Sequence, residues 1–74
     1  MSTYERVARI IAENRGIEAD TVTPETTFEQ LSFDSLDTVE LVMNFEAEFD
    51  ISIEAPEEGL KTVQEAVDLI DSLL

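Results

Sequence analysis

Ser35 is the residue best placed to take part in chemistry. It lies in the run Asp34-Ser35-Leu36-Asp37-Thr38-Val39-Glu40-Leu41-Val42-Met43. A serine hydroxyl becomes a nucleophile when a neighbouring base takes its proton and an oxyanion site receives the developing charge. The chain has no histidine and no cysteine, and Lys61, its only lysine, reads as a solvated surface residue. Two acids can act as a general acid/base pair when their surroundings push their pKa values apart. That arrangement needs a pocket, and a chain of 74 residues is too small to enclose one as well as a core. Ser35 is therefore read as an acceptor that another enzyme modifies, and the chain as a non-enzyme.

No metal site is expected. Without cysteine there is neither a thiolate ligand nor a disulfide. A calcium loop wants glycine at its sixth position and glutamate at its twelfth. Counted from Asp50, those positions hold Ala55 and Lys61, so a calcium-sensing role is disfavoured. Glu46, Glu48, Asp50 and Glu54 are expected to attract divalent ions weakly and without selectivity.

The elements that must position Ser35 follow from caps and periodicity. Ser2 and Glu5 form a capping-box pattern ahead of an apolar stripe, Tyr4/Val7/Ile10/Ile11. Arg15 and Gly16 give a stop signal, with Ile17 as its apolar clip. The first helix is placed at Thr3 to Arg15. From Ile17 to Phe33 the period is lost, and threonines with Pro24 favour turns. This stretch reads as a long ordered loop anchored by Ile17, Val22, Phe28 and Leu31, with a single helical turn near Glu29 to Leu31. Phe33 is read as a further core anchor, the alternative being a plug at the exit of whatever group the serine carries.

Asp34 is placed to cap a second helix, Ser35 to Phe49, with Asp37 in its first turn where the helix dipole favours negative charge. At about 100° per residue, Thr38, Leu41, Val42, Phe45 and Phe49 share one face. Leu36, Val39, Met43 and Ala47 fall opposite, fringed by Asp37, Glu40 and Asn44. The first face serves a core. The second suits protein docking. Ile51 and Ile53 alternate as inward anchors. Pro56-Glu57-Glu58 suits a short helix. Thr62 and Glu65 cap a last helix, Val63 to Leu73, with Val63, Ala66, Val67, Ile70 and Leu73 or Leu74 inward. The fold class expected is an all-α four-helix bundle, three main helices plus one short one with a long first loop, in a single domain spanning 1–74.

Eighteen acids face four bases, Arg6, Arg9, Arg15 and Lys61, for a formal net charge of -14. No base lies between Gly16 and Leu60. Such a surface repels nucleic acid and attracts basic protein patches. Apolar runs are short, so no membrane span is expected, and no secretory signal is recognised at the amino end. A monomer in the cytoplasm is the expected setting.

The run from Asp34 to Met43, continued by Glu48-Phe49-Asp50, resembles the acyl carrier proteins of dissociated (type II) fatty-acid synthesis. Arg6-Val7, Ile10-Ile11, Val22-Thr23 and Thr62-Val63-Gln64 extend the likeness along the whole chain. The resemblance implies that Ser35, within an attachment motif that includes Asp34 and Leu36, accepts 4′-phosphopantetheine from coenzyme A. The arm's thiol would hold an acyl chain as a thioester, sheltered between helices. The second helix would dock a phosphopantetheinyl transferase, an acyltransferase, a ketosynthase and other enzymes through Leu36, Asp37, Val39, Glu40, Met43 and Ala47. Three positions depart from the family pattern. Ser32 stands where glycine is usual, followed by the bulky Phe33; Ala47 stands where another acid is usual; and Ile53 to Leu60 is one residue shorter than usual. The alternatives are a dedicated carrier for a polyketide, special lipid or aminoacyl pathway, and an unmodified acidic interaction module.

Overall fold

Local signals explain where each helix begins and where the first one ends. The computed structural model describes residues 2–54 and 59–74. Helix α1 spans Thr3–Arg15, α2 spans Ser35–Phe49 and α3 spans Val63–Leu73, as the caps predict. Each starts with a reciprocal capping box: Ser2 with Glu5, Asp34 with Asp37, and Thr62 with Glu65. Each box satisfies two backbone N–H groups that a helix start leaves without intrahelical partners. Helix α1 stops at Gly16, whose φ of 66° is left-handed.

The three helices meet on one core. Val7 and Ile11 of α1, Leu41, Phe45 and Phe49 of α2, and Val63, Ala66, Val67 and Ile70 of α3 are buried together. Val22 and Phe28 from the first loop join them, as expected, while Leu31, Phe33, Ile51 and Ile53 pack against the edge. Two expected anchors lie outside the core. Ile17 is exposed, although its backbone N–H closes α1 onto Ala12 at 3.1 Å. Leu73 and Leu74 are also exposed; α3's buried stripe is complete at Ile70.

The first loop is ordered by its own bonds. It contains a 3₁₀ turn at Ala19–Thr21 that the sequence reading missed. The Tyr4 hydroxyl donates to the Val22 carbonyl at 2.7 Å, fastening the loop to α1. Thr27 and Thr62 form an antiparallel bridge, with Phe28 N–H on the Lys61 carbonyl and Val63 N–H on the Thr26 carbonyl, both at 3.0 Å. The stretch 28–32 is a hydrogen-bonded turn rather than a helix. The expected short helix at Pro56-Glu57-Glu58 lies outside the described residues. The described architecture is all-helical: three α-helices and one 3₁₀ turn.

Candidate functional site

Ser35 is the first residue of α2 and is exposed. Asp34 precedes it as the N-cap, its carboxylate accepting from the Asp37 N–H at 2.8 Å. Asp37 returns the bond, accepting from the Asp34 N–H at 3.3 Å. The Thr38 hydroxyl donates to the Asp34 carbonyl at 2.9 Å. Both acids beside the serine are thus committed to building the helix start. Among the described residues, no side chain hydrogen-bonds the Ser35 hydroxyl.

The approach to Ser35 is set by Ser32 and Phe33. Ser32 adopts φ 62°, the left-handed conformation for which glycine is the usual residue. The Ser32 N–H donates to the Glu29 carbonyl and the Phe33 N–H to the Phe28 carbonyl, both at 3.0 Å, closing the turn. Thr27 and Gln30 cap its start reciprocally, at 2.9 and 3.0 Å. This Thr-x-x-Gln capping pattern was legible in the sequence and went unread. Phe33 packs edge-on against Phe28 with ring centroids 5.7 Å apart, which fits the reading of an anchor.

The outward face of α2 carries Leu36, Val39 and Met43 at 67%, 55% and 60% exposure, with Glu40 and Ala47 also exposed. Asp37 behaves differently. It is half-buried and pairs with Arg15 at 2.8 Å. The Asp34 backbone bond, followed by Arg15, holds its carboxyl below the ordinary carboxylate value. Glu46 and Glu48 are likewise engaged, Glu46 by the Ile53 N–H at 2.9 Å and Glu48 by Arg6 at 2.8 Å.

Two of the clefts that adjoin α2 include Thr38 in their lining. One, of about 210 Å³, is lined by Thr38, Val39, Val42, Met43, Glu46 and Ile53. The other, of about 450 Å³, is lined by residues including Phe28, Phe33, Thr38, Leu60 and Lys61. Thr38 borders both, one turn beyond Ser35.

Residues 5–70 match the family described as the phosphopantetheine attachment site. The chain is also similar to the crystal structure of an acyl carrier protein from Thermotoga maritima. The two share 35% identity and a TM-score of 0.74, covering 92% of this chain and 81% of that one. This chain belongs to the acyl carrier protein family. Acyl carrier proteins carry acyl groups and catalyse nothing themselves, so the chain is a carrier, and phosphopantetheine is its cofactor. The geometry at α2 suits that cofactor: the exposed hydroxyl is open to modification, and a helix amino end favours a phosphodiester anion. No described helix is long and apolar enough to cross a membrane.

Proposed function

We propose that Ser35 is the attachment point for 4′-phosphopantetheine, and that the chain presents acyl thioesters on that arm to the enzymes of fatty-acid synthesis in the cytoplasm. The observation that carries this reading is an exposed serine at the first position of α2 whose hydroxyl is hydrogen-bonded by no side chain among the described residues. A hydroxyl in that setting is a substrate for a transferase. Asp34 and Leu36 flank it as the attachment motif, Asp34 by fixing the helix start and Leu36 by offering an exposed apolar contact.

Leu36, Val39 and Met43, with Glu40 and Ala47, form an apolar strip edged by charge on the free face of α2. This is the proposed docking surface for transferase, acyltransferase and ketosynthase, each meeting the acidic carrier through basic groups. Asp37 belongs to the same surface in a guarded form, since Arg15 already holds it. The cleft between α2 and Ile53 is a shelter for the acyl chain, its walls supplied mainly by Val39, Val42, Met43 and Ile53. The Ser32-Phe33 approach favours, as a second reading, a dedicated carrier for a specialised acyl pathway.

Incubation with coenzyme A and a broad-specificity phosphopantetheinyl transferase tests the attachment. Intact mass should rise by one arm, and Ser35→Ala should show no rise. A wild-type chain that stays unmodified while a control carrier is loaded would reject the proposal.

A further inference from the structure

The two arginines that pair across the molecule do so at opposite ends of the same helix. Arg6 reaches the carboxyl end of α2: its guanidinium lies 4.3 Å from the Phe49 ring centroid and pairs with Glu48 at 2.8 Å. Arg15 reaches the amino end in the same way, 4.2 Å from the Phe33 ring centroid and 2.8 Å from the Asp37 carboxylate. Each is an α1 guanidinium stacked on an aromatic ring and closing on an acid. Their settings differ. The Arg15–Asp37 pair is the more enclosed, with side-chain exposures of 26% and 32% against 36% and 46%. The Arg15 Nε is buried without an acceptor among the described residues. The guanidinium is therefore held in place by the ring and the carboxylate, not by a wider network. Asp37 lies in the first turn of α2, two positions after Ser35, whereas Glu48 lies roughly 20 Å away along the axis at about 1.5 Å per residue.

We infer that Arg15 is a specificity-determining residue: by holding Asp37 it withholds one carboxylate from basic partners at the Ser35 end of α2 and leaves Glu40 as the free acid of that surface. This rests on the proposed roles of Ser35 and of the outward face of α2. A basic partner group approaching Asp37 must share the carboxylate with Arg15 and meets its positive charge at close range. Juxtaposed like charges lower encounter rates and suppress partners that rely on that contact. Partners that dock through Leu36, Val39, Met43 and Glu40 are admitted unhindered. Phe33 belongs to the device because its ring fixes where the guanidinium sits. Arg6 is a natural control, since it makes the same kind of staple with the same charge far from Ser35.

The test is the kinetics of arm transfer from coenzyme A by a phosphopantetheinyl transferase, followed by intact mass at low and high salt. Thermal melting of every variant is recorded alongside. Arg15→Gln should lower KM about threefold to tenfold at low ionic strength with kcat unchanged. Arg6→Gln, with the same net charge, should change KM less than about twofold. Arg15→Lys, which keeps the charge but loses the planar stack on Phe33, should fall between wild type and Arg15→Gln. The gain should vanish in an Asp37→Asn background and fade at high salt. Equal effects of Arg15→Gln and Arg6→Gln would overturn the inference, leaving only net charge or general stability. A raised KM in Arg15→Gln, or a gain that survives Asp37→Asn, would overturn it as well. A loaded wild type with no gain in Arg15→Gln rejects this inference alone, whereas an unloaded wild type rejects the role of Ser35 with it.

Discussion

Ser32 holds a left-handed φ of 62° immediately before the residues that lead into Ser35. That conformation costs a side-chain-bearing residue roughly 1–2 kcal/mol. Glycine would remove the strain but lose about 0.5–1 kcal/mol of backbone entropy on folding. The balance favours glycine, so Ser32→Gly should stabilise the fold by up to about 1 kcal/mol. Ser32→Val, which adds a β-branch, should destabilise it by at least as much. Denaturant titration of the three proteins checks both; a Ser32→Gly variant less stable than wild type would mean that the serine side chain itself supports the turn. The backbone has thus kept the geometry that glycine usually provides, and the bonds from Thr27, Gln30 and Phe28 hold it there.

The helices were the legible part of the fold, because their limits are written in neighbouring residues. Ser2/Glu5, Asp34, Thr62/Glu65 and Gly16 are local signals: α1, α2 and α3 start where they say, and α1 stops at Gly16. The two faces of α2 were legible for the same reason: Leu41, Phe45 and Phe49 are buried, while Leu36, Val39 and Met43 are not. The loop was harder to read. Its tie to α3 through Thr27 and Thr62 joins residues far apart in sequence, and no periodicity announces such a bridge. The Arg15–Asp37 pair is likewise non-local, so Asp37 looked as free as Glu40. Reading Ile17 and Leu73 as buried failed because an apolar type at the right spacing does not say whether a partner surface reaches it. On the proposed docking face of α2 the exposed acid is then Glu40. Glu40→Lys should weaken binding to a ketosynthase or transferase about tenfold or less at low salt and far less at high salt, as expected of a rim charge. Affinity measured at two ionic strengths checks this, and unchanged binding at both would count against α2 as the recognition element.

For the molecule as a whole, charge sets the balance. The net charge of -14 is carried by a body with a Cα radius of gyration of 11.0 Å. The Debye length is about 10 Å at 0.1 M salt and about 30 Å at 0.01 M. At low salt, then, most acids in the molecule repel one another, and the two ion pairs among the described residues, both from α1 to α2, offset little of it. Adding salt should raise the melting temperature; relief of about 1 kcal/mol corresponds to about 4–8 °C for a domain of this size. A flat response would show that repulsion does not limit stability. On the proposed reading, the same field draws basic partners towards α2, where the account places the working group. Fragmentation mass spectrometry of the protein after loading from coenzyme A tests that placement most directly. The account predicts the phosphopantetheine on the peptide containing Ser35 and on Ser35 itself. An arm on Ser32, or on any serine other than Ser35, would contradict it.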